Sequence, residues 1–262
     1  MSEGKKEILL GDCLELKKDI PNGSIDAIIT DPPYGTTACK WDSVIPFDLM
    51  WEQLNRIIKP NGAIVLFGSE PFSSALRMSN IKNYKYDWKW DKIIGSGSLN
   101  VRYMQLKRYE DVIVFYKKTP TYNPQMALRD KTKLRPCGQF LKPNETYGLK
   151  KKEQYLYDED YKYPDTKLEY HSRKNELNSK HKIHPTQKPI ELMEYLVKTY
   201  TNENEVVLDF TAGSGTTAMA CLNTKRQFIV MEKEQKYYDI ILKRVGDFNK
   251  NLEPQTLFGN EM

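Results

Sequence analysis

The hydrophobic positions of this chain fall into short runs separated by polar turns. Apolar runs of this length, bounded by turn residues, predict strands, and a longer run with a helical period predicts a helix. The first part of the chain gives strands over residues 7–10, 27–30, 63–67 and 111–116 and a helix over 47–58. The last part gives a helix over 189–200, a strand over 206–208, a helix from about 216, a strand over 228–231 and a closing helix from about 235. This alternation predicts an α/β fold with a mostly parallel sheet.

The same pattern divides the chain into three blocks, residues 1–118, 119–183 and 184–262. The middle block has few branched aliphatic residues, several prolines and no clear period, so we do not expect it to build a large core of its own. The outer blocks each carry only part of a functional site. We therefore predict that they are two halves of one composite domain, with the middle block as an insert.

The amino-acid composition limits which classes of protein are compatible with this chain. With 39% hydrophobic and 29% charged residues, the 262-residue chain can bury a core. The apolar run near the N-terminus, Ile8-Leu9-Leu10, is too short for a signal peptide or a membrane span. The four cysteines are far apart, which suggests neither a disulfide framework nor a zinc site. We expect a cytoplasmic protein that contacts no membrane.

The net charge of +5 is concentrated in one segment. Residues 119–182 hold 14 Lys or Arg against 9 Asp or Glu, while the rest of the chain is balanced. Seven tyrosines are interleaved with these lysines. Such a segment can bind phosphates through its cations and stack through its tyrosines, but the same composition also fits a solvated insert. Composition alone leaves both interpretations open.

Two motifs stand directly after predicted buried strands. Asp31-Pro32-Pro33-Tyr34 follows the run 26–30, and the glycine-rich stretch 209–217, Asp-Phe-Thr-Ala-Gly-Ser-Gly-Thr-Thr, follows 206–208. Open α/β sheets bind their ligands at the carboxyl ends of such strands. The first motif resembles the Asp-Pro-Pro-Tyr signature of the β-class DNA amino-methyltransferases, and the second resembles the S-adenosylmethionine loop of that family. The order of the motifs, catalytic before cofactor, is that of the permuted β class.

The resemblance implies a Rossmann-like, doubly wound S-adenosylmethionine-dependent methyltransferase fold. Glycines at 213 and 215 allow close backbone approach to a ligand, and Glu232, 23 residues after Asp209, is placed to accept the ribose hydroxyls. By resemblance, Asp31 and Asp209 help to hold the amino-acid tail, and Asp12 and Cys13 contact the adenine. The stretch 184–189 resembles the last cofactor motif. The remaining cofactor residues expected by resemblance are Thr186, Lys188, Phe210, Thr211 and Ser214. The family more often has Pro-Phe where this chain has Phe210-Thr211.

The catalytic motif suits methylation of an exocyclic nucleobase amine, whose lone pair is delocalised into the ring. The Asp31 carboxylate and the Pro32 carbonyl can accept N–H hydrogen bonds from the amine and favour a pyramidal nitrogen. Pro32 and Pro33 stiffen this acceptor pair. Tyr34 offers an aromatic face to a base that has left the duplex.

We predict a site-specific DNA methyltransferase that uses S-adenosylmethionine and modifies N6 of adenine, because Asp is the commoner first residue among the adenine enzymes of the family. The alternatives are N4 methylation of cytosine, an RNA or single-stranded substrate, and a non-catalytic DNA-binding homologue. DNA contacts are expected from Lys150, Lys151 and Lys152, and otherwise from Arg102 and Arg108. No metal is expected. A homodimer and a cognate restriction enzyme are left open as partners.

Overall fold

A computed structural model describes residues 5–37, 39, 42–130, 160–171 and 187–252. The chain divides into two compact units, one formed by residues 1–123 and 166–262 and the other by residues 124–165. Among the described residues, no helix is long and apolar enough to cross a membrane.

The larger unit contains one mixed sheet. Its strands are β1 (Lys6–Leu10), β2 (Ile25–Thr30), β3 (Ile58–Gly68), β4 (Tyr84–Ser96), β5 (Lys107–Phe115), β8 (Lys167–Glu169), β9 (Val206–Asp209) and β10 (Gln227–Glu232). They lie in the order β1-β10-β9-β2-β3-β5-β4-β8. The first five strands of this order are parallel, whereas β5 is antiparallel to both β3 and β4. This agrees with the fold class predicted from the sequence.

Helices cover both faces of the sheet. They are α1 (Cys13–Leu16), α2 (Phe47–Ile57), α3 (Phe72–Ser79), α4 (Ile190–Tyr200), α5 (Thr216–Asn223) and α6 (Gln235–Leu252). Met50, Leu54 and Ile57 recur at helical spacing on α2, and all three are buried. They pack with Ile28 and other residues on one face of β2.

The opposite face of the sheet has its own core. Ala27 and Ile29 of β2 pack there with residues of α4, α5 and α6. Because successive residues of a strand point to opposite faces, a strand covered on both sides is apolar throughout. This explains the continuous apolar run of β2. The chain runs to one side of the sheet after β2 and to the other side after β9, so the boundary between these two strands is a topological switch point.

Most of the elements predicted from the pattern are present. The expected helix 47–58 ends at Ile57, and residues from Ile58 onward belong to β3, which begins before the expected strand 63–67. The strand β4 and the helix α3 were not predicted. Trp88 and Trp90 of β4 are buried, while Lys89 between them is exposed. This alternation is typical of a strand.

The smaller unit contains a two-stranded antiparallel pair, β6 (Ala127–Leu128) with β7 (Tyr161–Lys162). The insert expected over residues 119–183 is wider than this unit. Strand β8 lies within the expected insert, yet it pairs with β4 in the main sheet.

Candidate active site

The two sequence motifs lie side by side, because β2 and β9 are parallel neighbours with Ala27 opposite Val207. Side-chain hydrogen bonds join the strand ends. Thr30 Oγ1 donates to Asp209 Oδ1 at 2.5 Å, and Thr211 Oγ1 donates to the backbone oxygen of Asp31 at 3.0 Å. Residues about 180 positions apart therefore form one continuous edge.

A cavity of about 510 Å³ lies at this edge. A volume of this size is typical of a site for one small molecule. Residues from both motifs line it, together with residues from the turn after β1, from the segment before α4 and from the end of β10: Gly11–Leu14, Asp31–Tyr34, Gln187, Lys188, Asp209–Ser214 and Glu232–Glu234. The structure thus brings the predicted catalytic residues and most of the predicted cofactor residues to the wall of a single pocket, whereas Gly215 is not among the lining residues.

The glycine-rich loop connects β9 to α5 in a conformation that favours glycine. Gly213 and Gly215 have φ angles of 54° and 76°. A Cβ atom on Gly215 would lie 2.9 Å from Cγ1 of Ile241, a buried residue of α6. Both backbone angle and packing therefore restrict position 215 to glycine.

Glu232, at the end of β10, is fixed by the backbone around it. Its Oε2 accepts from the Gly213 amide and its Oε1 from the Glu234 amide, both at 2.8 Å. Burial raises the pKa of Glu232, and these amides oppose the shift. Carboxylate oxygens have further lone pairs, so Glu232 can still accept hydroxyl donors from a ligand in the cavity.

Asp209 is more deeply enclosed than the sequence suggests. Its two oxygens accept from the hydroxyls of Thr217 and Thr30, each at 2.5 Å, and from the amide of Thr211 at 3.1 Å. Burial raises the pKa of Asp209 to about 6. In this arrangement its carboxylate ties β2, β9 and α5 together, and a direct contact with the cofactor's tail stays a prediction.

The turn after β1 forms another part of the cavity wall. Asp12 caps α1 by accepting from the Leu14 amide at 2.9 Å, and Gly11 N donates to the Glu232 backbone oxygen at 2.9 Å. Burial raises the pKa of the Cys13 thiol. Behind this wall, Lys17 Nζ lies 4.1 Å from the ring centroid of Phe210. The buried ring of Phe210 therefore forms part of the cavity wall, at a position where the family more often has Pro.

The catalytic motif is anchored by three contacts. Tyr34 Oη donates to Asp31 Oδ1 at 2.5 Å, and Lys188 Nζ lies 2.5 Å from Asp31 Oδ2. The ring of Tyr34 stacks on Phe72 with a centroid distance of 5.0 Å. The loop that follows Tyr34 is held by Asp42, which accepts from the amides of residues 35, 36 and 37.

Lys188 is the centre of a buried charge network that the sequence did not reveal. Its ammonium lies 3.3 Å from Glu110 Oε2, and the other Glu110 oxygen pairs with Lys92 at 3.1 Å. Burial raises the pKa of Asp31, and Lys188 opposes this shift. For Glu110, burial also acts to raise the pKa, but Lys188 and Lys92 outweigh it, so the pKa is lowered. Two carboxylates and two ammonium groups thus alternate along the cavity wall.

Glu110 and Lys92 were missed because each sits within a strand and carries no motif. The available signal was an acidic pair, Glu110-Asp111, directly before the buried run 112–115. Gln187 also lines the cavity and was not singled out.

Several predicted residues lie elsewhere. Thr186, Lys150, Lys151 and Lys152 are outside the described residues. Arg102 is exposed on the connection between β4 and β5. Arg108 makes a bidentate pair with the buried Asp91, at 2.6 and 2.9 Å. Its guanidinium is therefore already engaged by the protein. In the described part of the chain, no cluster of His, Cys, Asp and Glu has the composition of a metal site.

Comparison with known proteins agrees with this geometry. Residues 25–243 match the N6/N4 methyltransferase family described as DNA methylase. The chain belongs to the DNA methylase family. The enzyme class and the cofactor predicted from the sequence, an S-adenosylmethionine-dependent DNA methyltransferase, are thereby confirmed.

Relatives of this DNA methylase match along nearly its whole length. The type II methyltransferase M.HinfI of Haemophilus influenzae is 26% identical, with 93% of this chain and 69% of the relative covered. The DNA adenine methyltransferase YhdJ of Escherichia coli is 27% identical, covering 92% and 82% of the two chains.

Solved structures also resemble it. The M1.HpyAVI complex with S-adenosylmethionine superposes with a TM-score of 0.62 at 27% identity, covering 91% of this chain and 98% of that chain. The cytosine-N4-specific PvuII methyltransferase gives a TM-score of 0.65 at 18% identity, covering 94% and 92%, which shows the shared fold alone.

Proposed function

We propose that this DNA methylase transfers a methyl group to the N6 amine of adenine in double-stranded DNA, at the carboxylate of Asp31. The observation that carries the proposal is the placement of Asp31 and Glu232 in one cavity, at the ends of strands on either side of the glycine-rich loop. S-adenosylmethionine supplies the electrophilic methyl group when bound. The acidic end of β10 and the glycine loop fit its ribose and its tail.

Asp31 can bind the amine without giving up its present partners. An ionised carboxylate offers about four acceptor positions, and Tyr34 and Lys188 use two of them. The remaining positions can accept N–H donors of the target amine, which turns the nitrogen lone pair away from the carboxylate. Positioning of this kind supplies a large part of the rate enhancement in group transfer.

Tyr34 has a narrower role than an open stacking platform. Phe72 covers one face of its ring, so only the other face is left for an extruded base. The phenol also holds Asp31 in place. We therefore expect Tyr34→Phe to lower the single-turnover methylation rate, and Tyr34→Ala to lower the rate and weaken base extrusion as well.

The choice of adenine is supported by Asp31 itself, since Asp is the commoner first residue among the adenine enzymes of the family. The similarity to the adenine methyltransferase YhdJ supports the same choice. N4-cytosine methylation is the alternative outcome of the test below. A homodimer, a cognate restriction enzyme and DNA contacts by Lys150, Lys151 and Lys152 also stay predictions.

The test uses purified full-length protein, methyl-labelled S-adenosylmethionine and DNA from a host without methylases. Mass spectrometry of the nucleosides distinguishes N6-methyladenine from N4-methylcytosine. We expect labelled N6-methyladenine, and none with Asp31→Ala, whereas the exposed Asp19→Ala variant serves as a matched control and should keep its activity. Methylcytosine as the product would overturn the adenine assignment, and full activity of Asp31→Ala would overturn the role of the carboxylate.

A further inference from the structure

The connection between β4 and β5, residues 97–106, stands at the rim of the cavity. We call it the apolar tip. Ser96 and Lys107 pair at its base, and both Ser96 and Lys92 line the cavity. Lys92 Nζ also donates to Ser96 Oγ at 2.9 Å, which links the base of the tip to the charge network around Asp31.

The tip presents apolar side chains to solvent. Leu99 is 93% exposed and Tyr103 is 88% exposed, and Val101 and Met104 are about half exposed. Scattered exposed apolar residues are normal, but a contiguous group beside an active site marks an interaction surface.

The tip has a defined backbone conformation. Residues Ser98–Asn100 form a 3₁₀ turn, in which the Asn100 amide donates to the Gly97 oxygen at 3.0 Å. The Tyr103 amide then donates to the Asn100 oxygen at 2.9 Å. Leu99 and Tyr103 are therefore displayed by a hydrogen-bonded turn.

The charge of this region identifies the kind of partner. Residues 97–108 contain Arg102, Lys107 and Arg108 and no Asp or Glu. Arg108 is paired with Asp91, while Arg102 and Lys107 are exposed. Apolar side chains flanked by cations, on the rim of a pocket that receives a nucleobase, are complementary to a duplex: the cations face phosphates and the apolar groups face base planes.

We propose that Leu99 and Tyr103 enter the DNA next to the target base and fill the gap in the stack that the extruded base leaves. This inference rests on the proposed function, because it assumes that the base enters the cavity. Extrusion costs a few kcal/mol of unstacking and unpairing. Apolar wedges and aromatic rings recover part of such a cost by contact with the neighbouring base pairs.

The test compares single-turnover methylation by wild type, Leu99→Ala, Tyr103→Ala and Tyr103→Phe on three substrates. These are a fully paired, unmodified duplex carrying the sequence that the enzyme methylates, the same duplex with an abasic position opposite the target base, and the target strand alone. On the paired duplex, the alanine variants should be slower by roughly tenfold to a hundredfold, as expected for one lost stacking partner. The phenylalanine variant should keep its rate. The control is Met78→Ala, which removes a 68% exposed apolar side chain of α3.

The three substrates distinguish a role in base extrusion from a role in methyl transfer or in folding. Because the abasic partner and the single strand lower the cost of extrusion, the alanine variants should approach the wild-type rate on both. An equal loss on all three substrates, or no loss on any, would overturn the role of the tip. If the alanine variants without DNA unfold at a lower temperature than wild type, these side chains pack on the protein itself. That result would also overturn the proposed role of the tip. If wild type methylates none of the three, the proposed function fails instead.

Discussion

Replacing Lys188 with methionine tests whether the buried charge network sets the ionisation of Asp31. The ammonium of Lys188 is the cation shared by Asp31 and Glu110, at 2.5 and 3.3 Å. Methionine keeps an apolar side chain of similar length, and the rings of Phe67 and Trp90 around the ammonium can pack against it. The variant therefore removes a charge while leaving the site filled.

The expected magnitude follows from the burial of the three groups. The side chains of Lys188, Glu110 and Asp31 are 9%, 17% and 23% exposed. Removing one partner of a buried ion pair costs about 3–5 kcal/mol, and partial hydration of Asp31 favours the lower end. Because this loss falls on the ionised form alone, it favours the protonated form of Asp31. Because burial already raises the pKa of Asp31, the variant should raise it further.

The direction of the pH effect follows from which form of Asp31 is active. An ionised Asp31 accepts the amine, so a higher pKa lowers the active fraction at acidic and neutral pH and spares it at alkaline pH. Single-turnover methylation measured against pH should show an acidic limb displaced to higher pH in Lys188→Met, with the rates converging at alkaline pH.

A double-mutant cycle gives the control. Glu110→Gln removes the charge of the second carboxylate. Loss of the Lys188 ammonium therefore deprives two carboxylates of their shared cation in the single variant, but only Asp31 in the double variant. The double variant should be more stable to urea than the sum of the single effects predicts. Additive losses together with an unshifted acidic limb would refute the idea that Lys188 is shared between the two carboxylates.

Three further variants test the cofactor half. Burial raises the pKa of Asp209 to about 6, so between roughly pH 4 and 6 the folded state binds more protons than the unfolded state and stability falls as the pH rises. Urea titrations of Asp209→Asn at several pH values should lack this fall in stability, and a slope of stability against pH equal to that of wild type would contradict the assignment. Glu232→Gln should raise the cofactor dissociation constant by roughly tenfold to a hundredfold, because a charge-assisted hydrogen bond is weakened; identical calorimetric titrations would remove Glu232 from the site. Gly215→Ala should lower the free energy of unfolding by about 1–2 kcal/mol for its positive φ alone, with a further cost from the contact with Ile241. Equal thermal stability would mean that the loop adapts.

The sequence was sufficient wherever a residue's position depends on its own strand. The apolar run of β2 predicted a strand end at Asp31, and the spacing from Asp209 to Glu232 predicted two adjacent strand ends. Both predictions depend on local pattern and on the general rule for parallel sheets.

What the sequence could not give are contacts between distant strands. Glu110 and Lys188 are brought together only because β5 lies across β3 from β2, an order that no local pattern encodes. The strand β4 was missed for a related reason. Its charged residues Asp87, Lys89 and Asp91 look like a surface segment, yet Asp87 is paired with Arg77 of α3, Lys89 with Asp111 of β5 and Asp91 with Arg108.

The strand order also governs when this protein can fold as it is synthesised. Among the described strands, β1 pairs only with β10, and the hydrogen bond from the Lys5 amide to Gln227 beside that pair spans 222 positions. At the usual 5–20 residues per second, the ribosome needs about 10–45 s to deliver the partner of the first strand. β2 likewise cannot pair with β9 until β9 has been synthesised, so the apolar strand keeps one unpaired edge until then. The antiparallel β4 and β5 are adjacent in the chain and can pair early, so the nascent chain carries half a sheet with an open, aggregation-prone edge until its C-terminal third emerges.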